Sequence, residues 1–184
     1  MRVIGGEFRS RRLKSIPGDA TRPTTDRLRE TLFNILAPRI AGAVFVDAYA
    51  GTGAVGIEAL SRGARHAFFL ERNKRALEAI RENLASLKVE HRATVLAGPV
   101  LTTMERAAEA GIVFLDPPYE MEREYGAALE LLAEAKTELV VAQHSVRMEL
   151  AEAYGGLGRT RVVRQGDNAL SFYAVGAGLR PVAD

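Results

Sequence analysis

The strongest chemical signal in this 184-residue chain is Asp116-Pro117-Pro118-Tyr119, directly after the apolar run Ile112-Val113-Phe114-Leu115. Two adjacent prolines remove two backbone donors and fix φ at both positions. The carbonyls of Asp116 and Pro117 are thereby held in a stiff loop. An exocyclic amine on a nucleobase offers two N–H donors and a lone pair delocalised into the ring. The Asp116 carboxylate and the Pro117 carbonyl can accept both hydrogens and stabilise the positive charge that grows on nitrogen as it attacks an electrophile. They would also aim the nitrogen, and orientation alone is worth up to roughly 7–11 kcal/mol. Tyr119 offers a ring on which the base can stack. Such a base must lie in a loop or be flipped out of paired structure. The alternative is a rigid strand-to-helix turn with a capping Asp, and the loop's place after a wholly apolar strand weighs against it.

A second cluster runs from Asp47 through Gly51, Gly53 and Gly56. Glycines at this spacing let a chain turn tightly and approach a ligand closely. Gly51-x-Gly53-x-x-Gly56 alone also fits a dinucleotide loop. Asp47, just ahead of the first glycine, changes the expectation: a diphosphate there would be repelled, whereas a ligand with a sulfonium and an α-ammonium would be attracted. S-adenosylmethionine has both charges and no phosphate. Glu71, at the end of the next apolar run, suits two ribose hydroxyls, a feature that both cofactor classes share. Taken singly, each acid could instead be a capping or surface group.

These clusters need elements to position them, and the pattern from residue 43 onward alternates strand and helix. Strands are expected over 44–48, 67–70, 93–96, 112–115 and 138–142. Helices are expected over 55–62, 72–87, 100–110, 124–135 and near 146–153. Residues 159–164 and 170–175 read as a hairpin around Gly166-Asp167-Asn168. Repeated strand–helix units imply an α/β fold with a mostly parallel sheet ending in an antiparallel pair. Residues 1–16 read as a small hairpin and Pro17-Gly18-Asp19 as a turn. Thr24 or Thr25 is expected to cap a helix through Leu28, Leu32, Phe33, Ile35 and Leu36 that Pro38 stops.

The chain is 47% hydrophobic and 26% charged, enough for a sizeable core. It lacks cysteine, which excludes disulfides, thiolate metal sites and cysteine nucleophiles and fits a cytoplasmic location. Neither a secretory leader nor a membrane-spanning run is expected. Residues 1–39 hold nine Lys or Arg against four acids, so this fifth carries +5 of a net charge of +2 and the rest is −3. Such a basic extension suggests a polyanion-binding patch, although arginine-rich codon usage would produce the same bias. His66, His91 and His144 are too scattered for a metal site. Arg159, Arg161 and Arg164 are expected on a solvated strand face, with a second RNA contact there as the lesser possibility. Leu28, Leu32 and Phe33 are expected in the core.

The sequence resembles the RsmD family of amino-methyltransferases with an Asp-Pro-Pro-Tyr motif. The likeness covers Met1-Arg2-Val3-Ile4-Gly5-Gly6, Arg11-Arg12-Leu13, Thr21 to Glu30, Leu32 to Leu36, Asp47 to Gly56, Leu115 to Tyr119 and Gly166 to Tyr173. The resemblance implies a Rossmann-like class I S-adenosylmethionine methyltransferase, with a seven-stranded sheet over 40–184 and a hairpin-plus-helix extension over 1–39. It implies methylation of a guanine N2 in 16S ribosomal RNA, at position 966 of the small subunit. Within the site it implies Thr24 and Thr25 near the methionine end of the cofactor. Asp47, Ala50, Gly51 and Gly53 would surround that same moiety, with Asp116 at its edge and Glu71 on the ribose. Asp116, Pro117 and Tyr119 would hold the target base. Arg2, Arg9, Arg11, Arg12, Lys14 and Arg22 would grip RNA within a small subunit or an assembly intermediate. A monomer with no metal is expected.

Pro99 departs from the family pattern, standing where an acid or amide normally meets the adenine, so a backbone carbonyl would have to substitute. Gln143-His144 stands where the family carries an acid after its fifth strand. Adenine N6 methylation by the same loop, a nicotinamide oxidoreductase, and an RNA-binding assembly factor without catalysis remain as alternatives.

Overall fold

The computed structural model describes residues 1–16, 25–107, 110–118, 121–135 and 137–176. Thr24, Arg22, Tyr119 and the expected turn at Pro17 lie outside them. The elements run α1 (Asp26–Ile40), β1 (Val44–Ala48), α2 (Ala54–Ser61), β2 (His66–Glu71), α3 (Lys74–Leu87), β3 (Ala93–Ala97), α4 (Val100–Thr103), β4 (Ile112–Leu115), α5 (Glu122–Ala133), β5 (Leu139–Ser145), β6 (Ala153–Tyr154), β7 (Leu157–Gln165) and β8 (Asn168–Val175). All strands lie in one sheet of order β3-β2-β1-β4-β5-β8-β7-β6. Strands β3 to β5 in that order are parallel, and β8, β7 and β6 are antiparallel. β4 is buried at all four positions, as a central parallel strand covered on both faces must be.

Two layers of helix cover the sheet. On one face Leu28, Leu32, Phe33 and Leu36 of α1 pack with Val55 and Ala59 of α2 on Phe45, Phe114, Val141 and Phe172. On the other, Met104, Tyr125, Leu129 and Leu132 pack on Val46, Val113, Val140 and Tyr173. None of the described helices is long and apolar enough to cross a membrane.

Three expectations need correction. Pro38 does not stop α1, which runs on to Ile40. Pro38 lies in the last turn, and its ring costs only the bond to the residue four earlier, here the solvent-exposed Asn34. No helix forms over 146–153, because tertiary partners take the backbone groups that a helix would need. Val146 N–H donates to Asp167 O (3.0 Å). Leu150 O accepts from Arg159 Nη1 (2.8 Å), Ala151 N–H donates to Tyr154 Oη (3.1 Å), and Ala151 O accepts from Tyr173 Oη (2.8 Å). The sheet therefore has eight strands rather than seven: the short β6 forms in this stretch and pairs with β7. Arg159 turns inward to Leu150, whereas Arg161 and Arg164 are exposed.

The arm, residues 1–16, holds a single bridge, Arg2 to Arg12, rather than two full strands. Val3, Phe8 and Leu13 enter a core with Ile57 and Leu60 of α2 and Ile80 and Leu84 of α3. Its polar anchor is Glu58, fully buried in an otherwise apolar helix. The Glu58 carboxylate accepts from the amides of Ile4 and Gly5 (2.8 Å each) and from Arg62 Nε (2.8 Å). Arg29 of α1, also fully buried, has its Nε 3.8 Å from Glu58 and donates through Nη2 to Arg2 O (2.6 Å) and Asp26 (3.0 Å). Burial lowers the Arg29 pKa, opposed by Glu58, Asp26 and Asp47. Gly6 has φ 75°, and a Cβ there would lie 1.9 Å from Ser61 O. The arm can lie this close only with glycine. Removing one partner of a buried ion pair typically costs about 3–5 kcal/mol. Glu58→Ala should therefore lower the unfolding free energy by about that much in urea titration. A loss under about 1 kcal/mol would show that the arm does not depend on this anchor.

Candidate active site

β1 has β2 on one side and β4 on the other, while the chain from β1 first runs outward through β2 and β3. The crevice of such a sheet opens at the carboxyl ends of these strands. Ala48 pairs with Leu70 and with Leu115, so Glu71 and Asp116, each one residue further on, flank the loop that leaves β1. The sheet thus brings together two clusters that lie far apart in the chain.

The glycine loop is held by backbone and carboxylates. Ala50 N–H donates to Leu70 O (3.0 Å) and Gly53 N–H to Ala50 O (2.7 Å). Glu71 accepts from the amides of Gly51, Arg72 and Asn73 (2.8 Å each). An ionised carboxylate has about four lone-pair sites, so acceptor capacity remains for a ribose hydroxyl. Asp47 is buried, and its Oδ2 accepts from the Gly56 amide at 2.7 Å. A Cβ on Gly56 would stand 2.4 Å from Phe69 Cε1 and 3.1 Å from Asp47 Cβ, so glycine lets α2 approach β2. Tyr49 has φ 64°, a left-handed conformation unusual for a ring-bearing residue. Its buried hydroxyl faces Glu124, and burial together with that carboxylate raises its pKa.

Burial pushes the Asp47 carboxyl well above the ordinary aspartate range; the Gly56 amide opposes the shift, Asp116 and Glu71 add to it, and Arg29 draws it back. Three carboxylates thus act on one another at the mouth of the loop. A cation among them relieves their repulsion, and a diphosphate would add to it. The residues therefore fit a cationic cofactor. Among the described residues no His/Cys/Asp/Glu group could hold a metal ion.

The proline loop leaves β4 with Asp116 half-buried, Pro117 buried and Pro118 exposed. Tyr125 of α5, fully buried, stands beneath it: its hydroxyl lies 2.7 Å from Gln143 O and 3.4 Å from Pro117 O. A phenol has one proton, and the shorter contact takes it. The Tyr125 ring meets His144 edge-on at 6.5 Å. His144 Nδ1 faces Ser145 O (2.9 Å) and must donate there, so Nε2 accepts from the Ser171 hydroxyl (2.8 Å). The bond at one ring nitrogen thereby sets the role of the other. Burial lowers the His144 pKa, which keeps this neutral tautomer. His144 is a hydrogen-bonded core residue, and the terminal Ala169-Leu170-Ser171 segment braces the end of β5.

Thr25 caps α1, accepting from the Leu28 amide at 3.2 Å. Arg9 and Arg12 are exposed. Arg2 pairs with Asp26 (3.6 Å), Arg11 donates to Ser86 O (3.0 Å), and Lys14 pairs with Glu82. Met1 Sδ lies 3.7 Å from Thr52 Oγ1, so the arm borders the glycine loop. The Pro99 carbonyl cannot stand in for the missing adenine acid: it already accepts from both the amides and the hydroxyls of Thr102 and Thr103. Sequence reasoning did not single out Tyr125, Glu58 or Arg29. An acid inside Ala54–Ser61 was a usable signal; nothing in the α5 pattern distinguished Tyr125.

The Asp47 shift has a testable sign. Its folded pKa lies above the unfolded value of 3.8. Keeping it ionised therefore costs stability above the folded pKa and nothing below the unfolded one. Asp47→Asn keeps an acceptor for Gly56. It should melt at or above the native temperature at pH 8, lose that advantage as the pH falls towards 4, and bind S-adenosylmethionine at least tenfold more weakly. A lower melting temperature at pH 8 with unchanged cofactor affinity would refute this account.

The family model described as Conserved hypothetical protein 95 matches residues 1–174. The chain is 42% identical over 119 residues to the ribosomal RNA small subunit methyltransferase D of Escherichia coli, covering 65% of this chain and 60% of that protein. It is 38% identical over 181 residues to the Bacillus subtilis protein YlbH, 94% of this chain and 98% of that one. The solved structure of Escherichia coli YhhF superposes with a TM-score of 0.83 at 33% identity, covering 96% of this chain and 98% of that one. The chain belongs to the Conserved hypothetical protein 95 family, the RsmD family of the sequence resemblance.

Proposed function

We propose that this chain is an S-adenosylmethionine-dependent ribosomal RNA methyltransferase acting on the N2 amine of a guanine in 16S RNA, position 966 of the small subunit. One observation carries the reading: the register that sets Glu71 and Asp116 on either side of the β1 loop brings a proline-stiffened acceptor pair beside a carboxylate-lined, phosphate-averse crevice. Membership of a family that includes ribosomal RNA small subunit methyltransferase D supports the RNA substrate. Asp47, Ala50, Gly51 and Gly53 hold the methionine end, with Thr24 and Thr25 beside it, and Glu71 takes the ribose. Bound there, the cofactor supplies an electrophilic methyl group on a sulfonium leaving group.

The rest is done by the chain's own residues. The Asp116 carboxylate and the Pro117 carbonyl accept the two amine hydrogens and hold the nitrogen lone pair in line for attack. As positive charge grows on nitrogen, both acceptors gain strength, which is transition-state stabilisation rather than uniform binding. Asp116 takes the proton that nitrogen sheds. Tyr125 spends its proton on Gln143 and leaves the Pro117 carbonyl free to accept from substrate; it is a positioning residue. Tyr119 stacks on the base. The arm, with Arg2, Arg9, Arg11, Arg12, Lys14 and Arg22, grips the RNA backbone. A cytoplasmic monomer acting on a small subunit or an assembly intermediate, through an extension over 1–39 and a catalytic domain over 40–184, fits this chemistry.

The test is transfer of labelled methyl from S-adenosylmethionine to small subunits lacking the modification, followed by nucleoside analysis. N2-methylguanosine is expected, and Asp116→Ala should lower kcat by about 10²–10³. Label recovered as N6-methyladenine would overturn the substrate. Tyr125→Phe should lower kcat about tenfold with KM for the subunit little changed, at a stability cost of about 0.5–1.5 kcal/mol for the lost hydrogen bond to Gln143 O. An unchanged kcat would remove Tyr125 from the mechanism.

A further inference from the structure

The carboxyl edge of the sheet carries a second group of arginines, on the side away from the arm. β5 ends at Ser145 opposite Asn168, the first residue of β8, and β7 ends at Gln165 opposite the same residue. The Gly166-Asp167 turn therefore stands at the same edge as Asp116. Arg147 lies two residues past the end of β5, and Arg164 lies one residue before β7 ends. Both are exposed, and neither makes an ion pair among the described residues.

The turn is a braced structure. Val146 N–H donates to Asp167 O (3.0 Å) and Arg147 N–H to Ser145 Oγ (3.2 Å). The Thr31 hydroxyl of α1 lies 3.2 Å from Gln165 Oε1, which ties the turn to α1. Arg164 is close enough to His144 for its charge to be felt there, next to the Gln143 carbonyl that holds Tyr125.

Adjacent strands lie about 4.8 Å apart, so β7, three steps from β4, is about 14 Å from the proline loop. That distance is about four phosphates of a helical strand at ~3.4 Å each. The arm lies on the opposite side, where Met1 borders Thr52 of the glycine loop. The proline loop thus sits between two basic elements. Asp167 and Glu149 share the turn region, so the patch is not a field of one sign. Its case rests on position and on guanidinium forks suited to phosphate.

We propose that the β7–β8 turn region, through Arg147 and Arg164, is a second contact for the RNA backbone, facing the N-terminal arm across the Asp116–Pro118 loop. The proposal rests on the reading that the substrate is RNA. Contacts of this kind read no sequence; they set register, and two of them on either side of the loop would determine which nucleotide reaches Asp116.

The test is filter binding of protein-free small-subunit ribosomal RNA to the full chain over a potassium chloride series. R147Q/R164Q should reduce the slope of log Kd against log salt by about 1–2. The control R39Q/R65Q, two exposed arginines at the amino edge of the sheet, should keep the native slope. R147K/R164K retains the charge and should restore most of the slope, which separates lost contacts from misfolding. Calorimetric titration of S-adenosylmethionine should be unchanged in every variant. A native slope in R147Q/R164Q would overturn the second contact and leave the RNA reading intact. A native chain that binds cofactor but neither this RNA nor small subunits at any salt would overturn both.

Discussion

Burying a carboxylate at the end of β1 carries a penalty unless the group is hydrogen-bonded and electrically compensated. Asp47 meets the first need through the Gly56 amide and the second only in part: Arg29 draws its pKa back, while burial, Asp116 and Glu71 outweigh it. These partners constrain the surroundings. Gly56 must be glycine, because a Cβ would strike Phe69, and α2 must start at Ala54 for its amide to face Asp47. Arg29 in turn needs Glu58, and Glu58 needs the arm's amides. One buried charge therefore links the glycine loop, the first turn of α1 and the arm.

The same linkage relates the two proposed ligands. The arm reaches the glycine loop through Met1 and Thr52, and its register is held by the buried Glu58–Arg29 pair rather than by an extended hairpin. A pair of this kind contributes little net stability compared with an apolar substitute, yet it allows few alternative arrangements. That suits the role proposed for the arm, which is to place RNA. The proline loop has a comparable support on the other side of the site, where Tyr125, Gln143, His144 and Ser171 form a buried polar set beneath Pro117.

Much of the fold was legible in the sequence because local period and apolar content agree with the tertiary outcome. β1 spans 44–48 and β4 spans 112–115, as read from their apolar runs. Thr25 caps α1, one of the two threonines expected to do so. The misreadings have physical causes. Residues 146–153 have helical spacing, but donors and acceptors from β7, β8 and Tyr154 claim their backbone groups. Pro38 lies so near the end of α1 that the bond it removes is a solvated one.

By itself the sequence determined the residue types and spacings on which the proposed chemistry rests: an acid and glycines after one strand, an acid and two prolines after another, and a basic leading segment. Those are properties of residue type and short spacing, which backbone stereochemistry turns into stiff loops wherever they fall. Only the tertiary structure decided that the loops share one crevice, because strand order and register are set by long-range packing. It likewise decided that Arg29 and Glu58 are buried together, and that Tyr125 lies under Pro117. Those contacts join residues from separate elements, and no local pattern records which side chains a folded sheet will bring within a hydrogen bond of each other.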